Sequence, residues 1–420
     1  MTTRLWLLLV FFAVACGSSE SPALHSPGAD AGADAGNDVG GPEPPSTWLL
    51  RVGSPGVDRI LYLDVDAGSG DVFVGLELAG EAMLQGHVLS GMGILRLDRF
   101  GRYLGFFQSP ALIGPAQQFW AISGLMILNL MKFEVFSAAG DPVWAPEGRL
   151  GWVHDLDAGP SGTLFGQSGT AKPIGLGTTS ASPFPDGNYF LFELQPRGEL
   201  LWLKQYPAAA SAGFVRTSKG QLWAFHRKKN CPSPDFCYRE LHLAGHDAQG
   251  NPLWSRHVTD ENNNNAVEAE PTPDGGAVML ADLDGNPDDI LVQRFGPGGE
   301  TRYEAIFSGD NMGDKDLAVD YLGRALLSVG VSPSVEIMPG TVLAAERDEG
   351  AVLVLDEHGA VMDVIRFLSD RPSQAPWIEM GLDRRLVVAE SFATNLRIGD
   401  LSVETNSGEI DIFVGSLGID

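Results

Sequence analysis

The chain has 420 residues, of which 54 are acidic and 28 basic, for a formal net charge of −26. That balance argues against nucleic acid as a partner and against electrostatic docking to anionic lipid. Hydrophobic residues make up 44% of the chain, enough to build a large core.

Arg4 gives a short basic start, and LWLLLVFFAVA from Leu5 to Ala15 is an apolar run of eleven. Such a run is too short to span a bilayer but suits the core of a secretory signal. It ends in AVAC, Ala13 to Cys16, which resembles the bacterial lipoprotein cleavage box, with small residues before a cysteine that becomes the acylated first residue. An ordinary signal with a chance cysteine is the competing reading. Gly17 stands where the lipoprotein rule associates aspartate with inner-membrane retention. The resemblance therefore implies a lipid anchor in the bacterial outer membrane, facing periplasm or cell exterior. Several acyl chains at about 0.8 kcal/mol per buried methylene make such an anchor effectively permanent.

From Gly17 to Ser46 the chain contains no aromatic residue and one leucine. It cannot bury enough apolar surface to offset the entropy of ordering. These thirty residues read as a flexible tether, which would hold a folded part roughly 30 Å from a membrane. The expected organisation is a signal peptide over 1–15, the acylated cysteine and tether over 16–47, and a single domain over 48–420. Loss of residues 1–15 removes Arg4 and no acid, leaving 27 basic against 54 acidic residues and a net charge of −27.

Beyond the tether one element recurs. GELLWLKQY begins at Gly198, GDPVWAPE at Gly140, GNPLWSRH at Gly250 and GETRYEAI at Gly299, with weaker copies after Gly101 and Gly359 and a last glycine at Gly418. These glycines are separated by 39, 58, 52, 49, 60 and 59 residues, so seven copies are countable. An alternating apolar strand precedes each glycine, as in GILRLDRFG and AVLVLDEHG, and the glycine supplies the positive φ of a tight hairpin. A second glycine turn recurs upstream at Gly70, Gly124, Gly162, Gly220, Gly275 and Gly323, with Arg384 in the corresponding place of the last copy. Two hairpins make four strands per copy, and helix-period stretches are few, so the chain reads as all-β.

Seven four-stranded units protect their edges by radial arrangement. The expectation is a seven-bladed β-propeller, with six or eight blades as the alternatives. The tryptophans then pack between the outermost strand of one blade and the next, each contributing about 2 to 3 kcal/mol if fully buried. An exposed sugar-stacking row is the rival reading. The domain opens with WLLRVG, an outer strand without its partner, and closes with DIFVGSLGID, a partner without its outer strand. Residues 48–53 and 410–417 are therefore expected to pair and close the ring. GEIDIFVGSLG, DDILVQRFGPGGE and NYFLFELQPRGELLW, with upstream SGDVFVGLELAG, resemble the bacterial SBBP-type β-propeller repeat, and the tether resembles those of myxobacterial lipoproteins. The resemblance covers most of residues 48–420 and implies the fold without one shared activity. The short second unit and Asp363, where a tryptophan would sit, depart from it.

If strands run A to D outward from the axis, the A–B and C–D glycine turns share one face and the B–C and D–A connections share the other. The long stretches, near 77–91, 167–187, 227–238, 281–288, 330–349 and 392–408, are of the B–C class. Insertions gathered on one face commonly form the binding surface of a repeat protein, neutral decoration being the other reading. The D–A connections carry Asp58, Asp260, Glu261, Asp310, Asp314, Asp316 and Asp370, partly balanced by Lys315, Arg149 and Arg371. They read as an acidic channel mouth or as a solvated rim.

DLDGNPDD places Asp282, Asp284, Asn286 and Asp288 at alternate positions, a spacing that suits calcium. Pro287 and Gln293, where a turn glycine and the closing glutamate are wanted, break the EF-hand pattern. Cys231 and Cys237 flank two prolines and an aspartate and read as a local disulfide in an exported protein, stabilising by roughly 2 kcal/mol. His242 and His246 have the spacing of a helical metal pair, but on a strand they sit about 13 Å apart. The other histidines, including His87, His154, His226 and His257, are spread among units. No G-x-S-x-G, H-E-x-x-H or phosphate-loop motif occurs. The expected function is a surface-anchored binding or scaffold module with an unknown protein or glycan ligand and, at most, calcium as cofactor. The alternative is a propeller enzyme, either a calcium-assisted hydrolase or lactonase or a quinoprotein-like dehydrogenase.

Overall fold

The computed structural model describes residues 47–419 apart from 109–117, 123–124, 130–132, 145–147, 150–151, 160–162, 170–173, 177–178, 182–187, 196–197, 209, 234–235, 260–267, 284–288, 310–314, 333, 339–340, 345–348, 370–374, 394 and 405–409, with some strand residues described by backbone alone. Every regular element among the described residues is a β-strand. Residues 1–46, with Cys16 and the expected signal and tether, lie outside them.

The tight turns share one local chemistry. At the C–D turn of the first unit the N–H of Asp98 donates to the carbonyl of Arg102 and the N–H of Gly101 to the carbonyl of Asp98. The Asp98 carboxylate also accepts the N–H groups of Phe100 and Arg102, both at 2.9 Å. Asp247, Asp320 and Asp356 repeat this arrangement before Gly250, Gly323 and Gly359. The glycine position demands a left-handed backbone, with φ of 76° at Gly101 and 73° at Gly250. Arg384, which takes the glycine's place in the last A–B turn, adopts φ 64°.

These turns join strands into seven antiparallel blades of four strands, two of which insertions extend into six-stranded sheets. Blade 1 comprises Arg59–Val65, Val72–Leu84, His87–Leu97 and Tyr103–Gln108; blade 2 comprises Gln118–Ile122, Leu125–Asn129, Phe133–Ser137 and Pro142–Trp144. Blade 3 comprises Trp152–Ala158, Leu164–Gly169, Asn188–Leu194 and Leu200–Pro207; blade 4 comprises Ala210–Arg216, Leu222–Ser233, Phe236–His246 and Pro252–Thr259. Blade 5 comprises Glu268–Pro271, Ala277–Asp282, Asp289–Phe295 and Thr301–Gly309; blade 6 comprises Asp316–Val319, Ala325–Val331, Glu349–Leu355 and Val361–Ser369. Blade 7 takes Trp377–Met380, Leu386–Ala393 and Ile410–Leu417 from the end of the chain and its outer strand, Trp48–Val52, from the beginning. The register runs from Trp48 opposite Ser416 to Val52 opposite Ile412, which is the closure expected from the sequence.

The first strands of the seven blades touch one another in cyclic order around the axis, blade 7 meeting blade 1. The apolar core is correspondingly divided. Among the described residues seven hydrophobic clusters form, each at one blade-to-blade boundary; one joins Phe165, Tyr189 and Leu191 of blade 3 to Phe214, Leu222 and Ala224 of blade 4. The two middle strands of a blade are thus covered on both faces. That is why ALLSVGV, Ala325 to Val331, is buried throughout instead of alternating.

The aromatic residues of the outer strands lock adjacent blades. Trp48 lies on Gly101, Phe107 on Gly140, Trp202 on Gly250, Trp254 on Gly299 and Tyr303 on Gly359, each aromatic ring filling the space where the next blade's turn glycine has no side chain. Asp363 occupies the equivalent position in blade 6, and nothing within 4 Å would meet a Cβ on Gly418. The recurring glycine therefore answers two demands at once, a left-handed turn and a close aromatic neighbour.

The B–C insertions run to the rim. The hairpin Ser334–Met338 and Thr341–Ala344, inserted in blade 6, pairs with the outer strand of blade 5 at Ser308 and Gly309. Asn395–Ile398 and Leu401–Glu404, inserted in blade 7, pair with the outer strand of blade 6 from Phe367 to Ser369. Ile174–Leu176 and Thr179–Ala181, inserted in blade 3, pair with Gly148–Arg149, which follows blade 2. Each insertion extends or flanks the blade before its own and so covers part of an open sheet edge. The long hairpin of blade 1 shifts register between Leu78 and Glu81 and turns back on itself. At its tip Gln85 donates to the carbonyl of Gly101 at 2.7 Å and accepts the N–H of Tyr103 at 2.9 Å, while Ala82, Leu84 and Leu89 join the core around Trp48.

Candidate functional site

The innermost strands carry carboxylates. Asp64 of blade 1 accepts the N–H of Ala121 in blade 2 at 2.6 Å and that of Val65 at 2.7 Å. Asp157 of blade 3 accepts the N–H of Arg216 in blade 4 at 3.2 Å, and Asp316 of blade 6 accepts that of Ile378 in blade 7 at 2.7 Å. Glu268 of blade 5 accepts the N–H of Leu317 in blade 6 and shares a hydrogen bond with the Asp316 carboxylate. Four inner strands are thereby stitched to their successors by an acid on a backbone donor.

All four acids are held above the usual carboxylate range, burial being the main cause in each. Asp64 is pushed up to about 7, with Asp66 and Asp316 adding repulsion, and Asp157 to about 6 against the attraction of Arg216. Glu268 is raised well above its ordinary value, by burial and then by Asp316, while burial pushes Asp316 to about 6. The hydrogen bond between the two carboxyls requires a proton between them, and burial together with mutual repulsion favours keeping it there. The arrangement can hold and share protons at neutral pH.

Of the expected acidic mouth, Asp316 belongs to this ring. Asp58 does not open to solvent: at 0% exposure it accepts the Ser54 N–H at 2.6 Å, the Ser54 hydroxyl at 2.5 Å and the Ala79 N–H at 2.9 Å. Asp260, Glu261, Asp310, Asp314 and Asp370 lie outside the described residues, as do Asp284, Asn286 and Asp288 of the calcium candidate. Asp282 of that loop is ion-paired to Lys315 at 2.5 Å. Among the described residues no group of three or more His, Cys, Asp or Glu could hold a metal ion. Cys231 is disulfide-bonded, and its strand faces that of Cys237 across the tip of the blade 4 hairpin, whose register places Asn230 opposite Tyr238; the Cys237 side chain lies outside the described residues.

Half of the eight histidines gather in one unit, while His87, His154 and His358 fall in blades 1, 3 and 6. His226, His242, His246 and His257 all belong to blade 4, and the register sets His226 opposite His242 and His242 opposite His257. Their rings form a row with centroids 5.7 and 5.4 Å apart, continued by Tyr189 of blade 3, stacked 4.8 Å from His226. Nδ1 of His246 donates to the carbonyl of Leu222 at 3.3 Å, leaving Nε2 to accept from the Tyr189 hydroxyl at 3.4 Å. Burial lowers His226 from 6.5 to about 3 and His246 to about 4, and it lowers His242 as well. The buried His226 and His246 make a blade-to-blade contact with Tyr189 and Tyr206. His87 stands apart in blade 1, stacked 4.0 Å from Tyr103.

Sequence reasoning missed Asp64, Asp157 and Glu268. Asp64 and Asp157 stand two residues before an A–B turn and Glu268 four before, on the same alternation of their A strands, and that placement was the available signal. No protein-family model matches the sequence, and no curated protein matches it. Similar solved structures include the Dos1 propeller, 11% identical with a TM-score of 0.46 over 88% of this chain and 96% of that one. BamB from Moraxella catarrhalis is 13% identical with a TM-score of 0.40 over 86% of each chain. A protein of unknown function from Dyadobacter fermentans is 12% identical with a TM-score of 0.40 over 89% of this chain and all of that one.

Proposed function

We propose that the chain is an outer-membrane lipoprotein, acylated at Cys16, whose propeller is a rigid scaffold that binds a protein or glycan partner on the face away from its tether. The pairing of Trp48 with Ser416 carries this reading. Ser416 ends a C strand beside the tight turns, so the chain joins the domain on the turn face. The opposite side, with the B–C and D–A connections, is left to a partner. Anchoring through the closing strand also ties the membrane attachment to the strand that completes the ring. The acids that stitch the inner strands suit a stiff platform.

Fatty-acid labelling and fractionation of Cys16→Ser against the unmodified chain test the anchor. The expected result is loss of both label and membrane retention; retention of either overturns it. Photo-crosslinkers placed in the host at Val342 and Leu401, exposed on the rim hairpins, and at residue 57, exposed on the D–A side, test the scaffold. Adducts of defined mass are expected from these positions, and adducts from turn-face positions alone would contradict it.

A further inference from the structure

We propose that the turn face along the closing seam, formed by blades 6, 7 and 1, rests against a lipid bilayer surface. This rests on the anchored reading above.

The observation is a set of exposed apolar tips on neighbouring turns around the point where the chain joins the propeller. Tyr321 and Leu322 top the A–B turn of blade 6, 44% and 59% exposed. The Arg384 guanidinium of blade 7 sits 4.4 Å from the centre of the Tyr321 ring. Leu382, in the same turn and 49% exposed, reaches the A–B turn of blade 1, where a Cβ on Gly70 would lie 3.3 Å from it and 3.4 Å from Arg99. The carbonyl of Arg99 accepts the indole N–H of Trp48 at 3.1 Å. The next turn carbonyl, of Gly101, holds the tip of the folded-back hairpin through Gln85. Beside that tip Met83 and Val88, cross-strand partners, are 64% and 58% exposed. Thr47 precedes Trp48 among these turns.

The charge around these tips differs from that of the whole chain. Arg99 lies over Phe100, with its guanidinium 4.6 Å from the ring centre, as Arg384 lies over Tyr321. The nearby acids are occupied: Asp98 is paired with Arg102, Asp383 with Arg385, and Asp66 accepts from Gly68 and Ser69 of its own turn. Apolar tips beside exposed guanidiniums fit the headgroup and acyl boundary, where the cation meets phosphate and the tips leave water. Singly exposed apolar residues would need no explanation, but a group of them gathered on neighbouring turns does.

What selects a bilayer as the occupant is the chain that leaves from beside these turns. It runs from Thr47 through a tether of thirty residues to Cys16, so the acyl group keeps this face within roughly 30 Å of the lipid. Tethering turns a weak surface contact into an intramolecular one, which a few side chains can then bias. The net charge of −26 opposes strongly anionic membranes, so the contact depends on the apolar tips.

The test uses the acylated full chain carrying an environment-sensitive dye at Leu322→Cys or Leu382→Cys, with Val342→Cys and Leu401→Cys as rim controls. Each is incorporated into vesicles of phosphatidylethanolamine with a minor fraction of phosphatidylglycerol, with or without nitroxide-labelled lipid. A blue shift and quenching by nitroxide at 322 and 382, but not at 342 and 401, is expected. Adding Met83→Asp and Val88→Asp, both at exposed positions, should weaken the quenching at 322. Vesicle-bound protein with unquenched dye at 322 and 382, or with equal quenching at all four positions, overturns the proposal while leaving the anchor intact. If Cys16 carries no fatty acid, the anchored reading fails separately. The unacylated chain at high lipid then decides the face by the same comparison, and absence of selective quenching again overturns it.

Discussion

Trp202 of blade 3 lies so close over Gly250 of blade 4 that a Cβ there would sit 2.8 Å from the indole. Gly250 also has φ 73°. Gly250→Ala is therefore expected to lower stability by about 1 to 3 kcal/mol, through overpacking and backbone strain together. Gly418→Ala meets nothing within 4 Å and should be close to neutral. Denaturant unfolding of the two variants checks the contrast, and equal effects would mean that the aromatic contact is not what requires glycine.

Asp58 is enclosed and answers three donors. Its replacement by alanine leaves the Ser54 and Ala79 N–H groups without their acceptor beside the closing strand. A loss of about 2 to 4 kcal/mol is expected, read from the urea midpoint. Loss below a few tenths would place these groups in water.

Glu268 is raised well above its ordinary 4.5. Between that value and its folded value the native state binds a proton that the unfolded chain does not. Its stabilising contribution is thus present at acid pH and is lost as pH rises. Glutamine can accept from Leu317 and donate to Asp316 as the protonated acid does. Glu268→Gln should therefore match the wild type at pH 4 and exceed it by about 1 to 3 kcal/mol at pH 8. Thermal unfolding across this range checks the difference, and a variant weaker at pH 8 would show that Glu268 is ionised in the fold.

The buried histidines act in the opposite sense. His226 falls from 6.5 to about 3, so below pH 6.5 the unfolded chain takes up a proton that the native state refuses. Stability should fall with pH from there. His226→Phe keeps the stacking on Tyr189 and removes the titration, so it should recover on the order of 2 kcal/mol near pH 4 with little change at pH 8. An unchanged acid limb would assign the loss to other groups.

What the sequence made legible follows from local periodicity. Gly101, Gly250 and Gly359 mark turns that only a left-handed residue closes, and Arg384 could be recognised in their register despite its side chain. The incomplete units at Trp48 and Phe413 showed where the ring joins. Asp363 in a tryptophan's place foreshadowed the open space at Gly418. The carboxylate stitches were not legible, because Asp64 meets Ala121 and Asp157 meets Arg216 only once two separate blades stand side by side. The histidine row escaped for a related reason: His226, His242 and His257 align through cross-strand register, which spacing along the chain does not reveal. Asp58 read as a surface acid because nothing local announces its burial.

Amide hydrogen exchange of the full chain, followed over 48–52 and 410–417, tests the closing of the ring most directly. Both segments should exchange slowly and together, and deletion of residues 1–52 should deprotect Ile410–Leu417. Rapid exchange at 48–52 while 410–417 stays protected, or no change on deletion, would contradict a ring closed by its own first strand and the turn-face attachment that depends on it.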